Sequence, residues 1–469
     1  MSQLKSDMIH GLLWSAVEKY SGMAVSLVVS MVLARLLTSE EFGVVAVATV
    51  IINFLSIFAT MGIGPAVIQR KDFSENDLNN IFTFSIFSGG LTAAVFFCLS
   101  WVIADIYNNQ NLVVICQVLS INLFFAAANM VPNALMSRDL KFKLVAKRTL
   151  ILQISSGIIS VLAAFYGFEI YSLLISPTFN AVGIFVYNRS HYQLHLQRNF
   201  DWTPMQSIAS YSSYQFAFEF VNYFSRNLDK LIIGKYINLA DLGYYEKSYR
   251  LMQMPLNSLT GVVNPVLQPI MSRLQEQKQE IAQKHNKMIG AMASISFPLG
   301  IGLYIFADLI IRTIYGNKWD NAIPTFQILS LSVPLQVILS TSGGIFQSCG
   351  DTKTQFRVGI RNTVTTVVSF IIAIYWIGTI EAVAWAWTIS LIINFFCSYM
   401  IMYMRVLKSP FKDMLKSLLL PFATLVVIWV VNNQLLNWET NVIIRLIVFA
   451  LFSLSLIKMS GVVELIKRK

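Results

Sequence analysis

The chain has 469 residues, of which 55% are hydrophobic and only 13% charged; its mean hydropathy is +0.61 and its net charge +11. A soluble protein of this length carries about 25% charged residues. Here Asp, Glu, Lys and Arg are absent from residues 42–69, 106–137, 251–272, 321–350 and 382–404, runs that exclude a soluble globular domain.

Each run is long enough to cross a hydrocarbon core of about 30 Å as a helix. The runs are continuous rather than alternating, so a transmembrane barrel is excluded as well. The fold class expected is all-α and polytopic. Hydrophobic segments and their polar breaks predict fourteen spans, at about 11–36, 42–64, 80–104, 112–136, 149–167, 170–188, 207–235, 241–268, 288–314, 322–348, 358–377, 381–404, 414–432 and 441–458. The first segment is too long for a signal h-region and is interrupted by Glu18 and Lys19, so it is retained as a span rather than cleaved.

An even number of spans puts both termini on one side. That side carries most of the 35 Lys and Arg residues, and Lys/Arg-rich loops stay cytoplasmic. The positive charge is therefore an orientation signal, with both termini inside, rather than a nucleic-acid signal. No break leaves room for a soluble catalytic domain, and no GxxxxGK[ST] loop is present, so no enzyme and no ATP hydrolysis are expected. Cys98, Cys116, Cys349 and Cys397 are scattered in apolar helices and read as small buried hydrophobes. No metal site is expected. His191 and His195 have i, i+4 spacing but fall in a basic cytoplasmic break.

The chain repeats itself. Residues 33–43 (LARLLTSEEFG) match 233–243 (IGKYINLADLG) at an offset of 200, aligning Arg35 with Lys235, Glu41 with Asp241 and Gly43 with Gly243. Residues 142–149 (FKLVAKRT) match 356–363 (FRVGIRNT) at an offset of 214. Two six-helix lobes are predicted, 1–205 and 206–404, with two further helices in 405–469. Six is even, so this is a parallel repeat, a transporter arrangement with a central cleft.

Charges inside the spans are the candidates for function, because a charge at bilayer depth costs on the order of 3 kcal/mol. Arg226 and Arg250 each lie twelve residues from Asn238, about 18 Å along a helix, near the bilayer midplane. Lys230 and Lys247 lie nearer the outer surface. Two readings are open and compatible. Arg226 with Asp229, and Glu246 with Arg250, can pair along their helices. Alternatively the cations line a polar cavity that binds an anionic headgroup, for which the planar fork of Arg suits phosphate oxygens. In the inner half, Lys19 adds a cation, and Glu18 and Glu219 are carboxylates able to carry a proton or sodium ion, as are Asp229 and Glu246 beside the outer lysines; a salt bridge between the first and seventh helices is the other reading of Glu18 and Glu219. Asp308 and Arg312 are expected to pair with each other. Pro132, Pro177, Pro255, Pro265, Pro298, Pro334 and the Gly343-Gly344 pair allow kinks.

Four stretches carry a family resemblance: EFGVVAVATVIINFLSIFATMGIGPAVIQRKDFSENDL (41–78), RDLKFK (138–143), NYFSRNLDKLIIGKYINLADLGYYEKSYRLMQMPL (222–256) and GNKWDNAIPTFQILSL (316–331). Together they resemble Wzx-type polysaccharide-unit flippases of the multidrug/oligosaccharidyl-lipid/polysaccharide exporter superfamily. The likeness spans the first twelve helices. It implies a transporter that moves a lipid-linked oligosaccharide, on undecaprenyl pyrophosphate, across the bacterial cytoplasmic (inner) membrane for O-antigen, capsule or exopolysaccharide synthesis. It implies alternating access, a cationic cavity (Arg226, Lys230, Lys247, Arg250 and Lys19 here), no cofactor, and coupling to a proton or sodium gradient. Partners implied are the lipid-linked oligosaccharide, membrane lipids and polysaccharide-assembly machinery such as a polymerase. The rivals are a multidrug cation antiporter of the same superfamily, the lipid II flippase, whose motifs fit less well, and a membrane polysaccharide polymerase, which needs a large outer loop. At offset 200 the charged positions 226, 229 and 230 align with Ser26, Val29 and Ser30, and 246, 247 and 250 with Ala46, Val47 and Val50. The charges belong to the second copy alone.

Overall fold

The computed structural model of the chain describes residues 2–60, 63–70, 72–437 and 442–459. These contain helices and turns and no strand. The chain divides into two compact units, Met1–Gly243 and Tyr244–Lys469.

The first unit holds α1 (Ser2–Leu36), α2 (Ser39–Thr60), α3 (Ile63–Gln69), α4 (Glu75–Tyr107), α5 (Asn111–Ala128), α6 (Met130–Arg138), α7 (Phe142–Phe165), α8 (Ser172–His191) and α9 (Thr203–Tyr236). Local chemistry sets the ends. Ser74 and Asp77 form a capping box at the start of α4, with Ser74 N–H donating to Asp77 Oδ2 at 2.9 Å and Asp77 N–H to Ser74 Oγ at 3.2 Å, so two orphan donors are satisfied at once. Packing pairs α1 with α7, α2 with α5, α4 with α5, and α7 with α8. The short helices α3 and α6 close an apolar cluster with α4 around Ile63, Val67, Ile81, Phe82, Val131 and Leu135. Residues 192–202 are strapped to the first turns of α4: His195, Gln197 and Asp201 donate their backbone N–H to Asn79 Oδ1, Thr83 Oγ1 and Asn80 Oδ1 at 2.8–3.0 Å. His195 is thus placed by its backbone, and the His191 ring stacks on Tyr187 at 4.7 Å.

The 200-residue repeat is physical. α1 ends at Leu36 and α9 at Tyr236; Thr38 and Asn238 occupy matching turns. Glu41 caps the first through Thr38 N–H at 2.7 Å, and Asp241 N–H meets Asn238 Oδ1 at 2.7 Å in the second. Gly43 lies against the Leu239 carbonyl, and Gly243 against the Ser39 carbonyl. Residues 39, 43, 239 and 243 therefore make one reciprocal crossing about a local two-fold, and a side chain at either glycine would occupy the other segment's backbone.

The second unit holds α10 (Leu239–Ser272, from Tyr244 on), α11 (Lys278–Ile305), α12 (Ala307–Ile314), α13 (Ala322–Ser330), α14 (Val333–Leu339), α15 (Ser342–Ser348), α16 (Thr352–Trp376), α17 (Ile380–Ile401), α18 (Phe411–Asn437) and α19 (Val442–Met459). The single span expected at 322–348 is broken between Ser330 and Val333 and bent there by 43°, because Pro334 has no N–H with which to continue the preceding helix. A buried side-chain chain lies at the second interruption, residues 340–341 between α14 and α15. Tyr399 donates to the Ile338 carbonyl at 2.6 Å and meets Thr341 Oγ1 at 3.0 Å; Thr341 meets His285 Nε2 at 3.0 Å, and His285 Nδ1 meets the Tyr403 hydroxyl at 2.9 Å.

Among the described residues, ten helices are long and apolar enough to cross a membrane, or eleven if the bent pair is one span. The other expected spans fall on α9 and α10, 34 residues each and rich in polar side chains, and on α19, 18 residues.

Candidate functional site

The candidate charges are held on two rigid helices, one described in each unit. In the first unit α9 lies along α2. Phe216 and Phe220 pack on Phe54 and Phe58 with ring centroids 5.1–6.0 Å apart, and the Tyr223 hydroxyl donates to the Val50 carbonyl. Further along, Tyr107 donates to the Leu231 carbonyl at 3.1 Å, and the Lys235 ammonium to the Ile106 carbonyl. This two-ended anchoring fixes the turn between. There Asp229 is fully buried, Lys230 is half-buried and Arg226 is exposed. The Phe216–Phe220–Tyr223 stripe facing Phe54–Phe58 was readable as i, i+4, i+7 spacing, and sequence reasoning did not use it.

On α1, Glu18 is half-buried and accepts from Thr149 Oγ1 of α7 at 2.9 Å, and Lys19 is exposed. The side chain of Glu219 lies outside the described residues.

In the second unit, Glu246 is half-buried, Arg250 exposed, and Lys247 only 2% exposed. The Lys247 ammonium lies 5.1 Å from the Tyr315 ring centroid and 5.9 Å from that of Trp319, and both rings are themselves buried. The turn GNKWD builds this enclosure. Gly316 takes φ 94°, a left-handed conformation that a glycine adopts without strain, and turns Trp319 back toward Tyr244, 5.6 Å away edge-on. Arg312 clamps the turn with a bidentate pair to Asp320 at 2.9 and 3.1 Å. This corrects the expected Asp308–Arg312 pair: the planar fork selects the carboxylate it can meet with two parallel bonds. The Asp320 hydrogen bond and charge hold the Arg312 guanidinium above its ordinary pKa, with Asp308 a smaller contributor. The two family-like stretches 222–256 and 316–331 thus meet at Lys247 and Trp319, a contact no spacing rule predicts.

The arrangement separates two kinds of cation. Arg226 and Arg250 are exposed, and a guanidinium can take phosphate oxygens bidentately. Lys247 is enclosed by aromatic faces, where a desolvated cation–π contact is worth about 2 kcal/mol. Trp319→Ala should therefore destabilise the second unit by about 3–5 kcal/mol, as deletion of a buried Trp does, while Lys247→Met should change stability by about 2 kcal/mol or less. Thermal unfolding of the purified variants in detergent measures both. The reverse order would mean that the Lys247 charge, not the ring packing, holds the turn.

The chain is similar to proteins of polysaccharide assembly. The lipopolysaccharide biosynthesis protein WzxC of Escherichia coli (strain K12) is 24% identical over 428 residues, 89% of this chain and 85% of the relative. The teichuronic acid biosynthesis protein TuaB of Bacillus subtilis (strain 168) is 25% identical over 429 residues, 90% of this chain and 87% of the relative. Among solved structures, the lipid II flippase MurJ in an inward-closed conformation matches with a TM-score of 0.72 at 16% identity, over 96% of this chain and 98% of that one. This is the all-α polytopic fold expected for the exporter superfamily. A family model described as polysaccharide biosynthesis protein matches residues 32–324, more than half of the chain, and the chain belongs to that family.

Proposed function

We propose that this protein moves a lipid-linked oligosaccharide, carried on undecaprenyl pyrophosphate, from the inner to the outer leaflet of the bacterial cytoplasmic membrane by alternating access, for surface polysaccharide synthesis. The observation that carries the reading is the pair of exposed guanidinium groups, Arg226 and Arg250, on membrane-length helices of a polysaccharide-biosynthesis family member. An intramembrane Arg is costly and is retained where it meets an anion. Arg226, Lys230, Arg250 and Lys19 contact the pyrophosphate and its sugars while the polyprenyl tail stays in lipid. Lys247 supports them by fixing α10 against the 315–319 turn. Glu18, Glu219, Asp229 and Glu246 are the carboxylates that couple movement to a proton or sodium gradient. Both termini face the cytoplasm, by the Lys/Arg distribution, and a polysaccharide polymerase consumes the delivered unit.

The direct test uses proteoliposomes loaded with an undecaprenyl-pyrophosphate-linked oligosaccharide, scored by an impermeant lectin added outside. Lectin-accessible sugar should rise above that of protein-free vesicles, faster under an imposed gradient. A rate equal to protein-free vesicles would overturn the reading.

A further inference from the structure

The segments FKLVAKRT and FRVGIRNT have no part in the site above, yet each carries an arginine held by neutral side chains, one residue out of register with the other. In the first unit Arg148 of α7 is 5% exposed. A guanidinium carries five N–H donors. That of Arg148 bonds only through Nη1, to the Asn188 Oδ1 of α8 and, at 3.5 Å, to Asn133 Oδ1 of α6. Asn188 is itself completely buried and held by Asn129 Oδ1 at 2.7 Å. No carboxylate bonds to Arg148; the nearby Glu18 accepts from Thr149 instead. The Arg148 Nε–H is buried and has no acceptor among the described residues. Glu18 therefore acts on Arg148 through longer-range charge alone, and a buried guanidinium bonded only to two carboxamide oxygens is poorly compensated for its desolvation.

The second unit has a related, half-buried arginine one position away. Arg361 of α16, which the repeat aligns with Lys147, bonds through Nη2 to Asn362 Oδ1 at 2.6 Å and Ser398 Oγ at 3.2 Å, and its Nε is again buried with no acceptor. Neighbouring turns of α7 and α16 thus carry an Arg supported by neutral side chains, Asn188 of α8 in one and Ser398 of α17 in the other among them. In Arg148 the whole Nε/Nη2 edge, the one that docks side-on with two parallel bonds, lacks an acceptor among the described residues.

We propose that the Nε/Nη2 edge of Arg148 binds a phosphate group. Arg148 lies six residues from Phe142, about 9 Å along α7, at headgroup depth on the expected cytoplasmic side. Exposed Lys143 and Lys147 flank it, and exposed Asn133 stands at the Nη1 end. The phosphate belongs either to a lipid headgroup or to a diphosphate arriving from the cytoplasm. This site is separate from the α9 and α10 cations and does not depend on what they bind.

The full-length protein in phosphatidylcholine nanodiscs tests it by thermal midpoint, with phosphatidylglycerol added in one arm and inorganic pyrophosphate in the other. A wild-type rise with phosphatidylglycerol identifies a headgroup, and a rise with pyrophosphate a diphosphate. The half-maximal concentration should increase about tenfold or more in Arg148→Lys, which keeps the charge and loses the fork, and the response should vanish in Arg148→Gln. Asn188→Asp supplies a carboxylate from within; it should melt higher than wild type without ligand and no longer respond. Wild-type responses in folded Arg148→Lys and Asn188→Asp, or no wild-type response in either arm, would overturn the site whether or not Arg148→Gln folds.

Discussion

Gly43→Ala and Gly243→Ala should each destabilise the protein by about 4 kcal/mol or more, at the far end of single-substitution effects, and larger side chains there should abolish accumulation in the membrane. A Cβ at residue 43 falls on the Leu239 carbonyl, and one at residue 243 on the Ser39 carbonyl. Neither obstacle is the tip of a flexible side chain. Both are backbone in the first turn of a capped helix, where Thr38–Glu41 and Asn238–Asp241 fix the approach. Relief requires the two segments to separate, and separation breaks both crossings because they are reciprocal. Gly90→Ala in α4 and Gly359→Ala in α16 are the controls. A Cβ at either meets nothing within 4 Å, so alanine should be neutral or stabilise by about 0.4–1 kcal/mol through helix propensity and lost unfolded-state freedom. Unfolding midpoints in detergent, read beside membrane expression, check all four. Mild effects at Gly43 and Gly243 would show that the aligned glycines are not the crossing point.

That crossing was legible as a pattern and not as a contact. The alignment of 33–43 with 233–243 named both glycines, but periodicity does not say that two copies touch each other rather than serving the same purpose separately. Helix middles were equally legible, because a lipid-crossing segment must be apolar. Ends and breaks were less so. α11 starts at Lys278 rather than near 288 because Lys278, Glu280, Lys284 and Lys287 read as a polar break; on a helix the same residues form an i, i+4 pair, Lys284 with Glu280 at 2.8 Å, on the exposed side. The span at 322–348 looked continuous because proline and paired glycines are common in membrane helices, and the bond from the Thr388 hydroxyl of α17 to the Ile328 carbonyl beside the break is a contact no pattern predicts. In the site, the charges were visible because composition makes them rare. The Tyr315–Trp319 enclosure of Lys247 was not, since it joins residues about seventy positions apart through a left-handed glycine turn. Arg148 was overlooked for a related reason: in FKLVAKRT it is one of several basic residues at a cytoplasmic helix end, and only burial sets it apart from Lys143 and Lys147.

Arg226→Ala combined with Arg250→Ala should eliminate surface polysaccharide in a complemented deletion strain while leaving the protein at wild-type level in the membrane. The fold does not require these charges. The first copy of the repeat places Ser26 and Val50 at the aligned positions, and both guanidinium groups are exposed rather than buried in either unit. Removing an Arg from a membrane helix lowers its insertion cost by roughly 2.5–3.5 kcal/mol, so insertion should not suffer. Transport should. Hydrogen bonds to charged groups contribute about 1.5–3 kcal/mol each; losing one such contact at each Arg removes about 3–6 kcal/mol from headgroup binding, or roughly 10²- to 10⁴-fold in affinity. The single alanine variants should fall between. Arg→Lys at either position keeps the charge and loses the bidentate fork, so the order wild type, lysine, alanine is expected at both. The measurement is surface polysaccharide normalised to immunodetected membrane protein. Wild-type polysaccharide from a well-expressed double alanine variant would remove the α9 and α10 guanidiniums from the substrate path and leave Lys19 and Lys230 as the remaining proposed headgroup contacts.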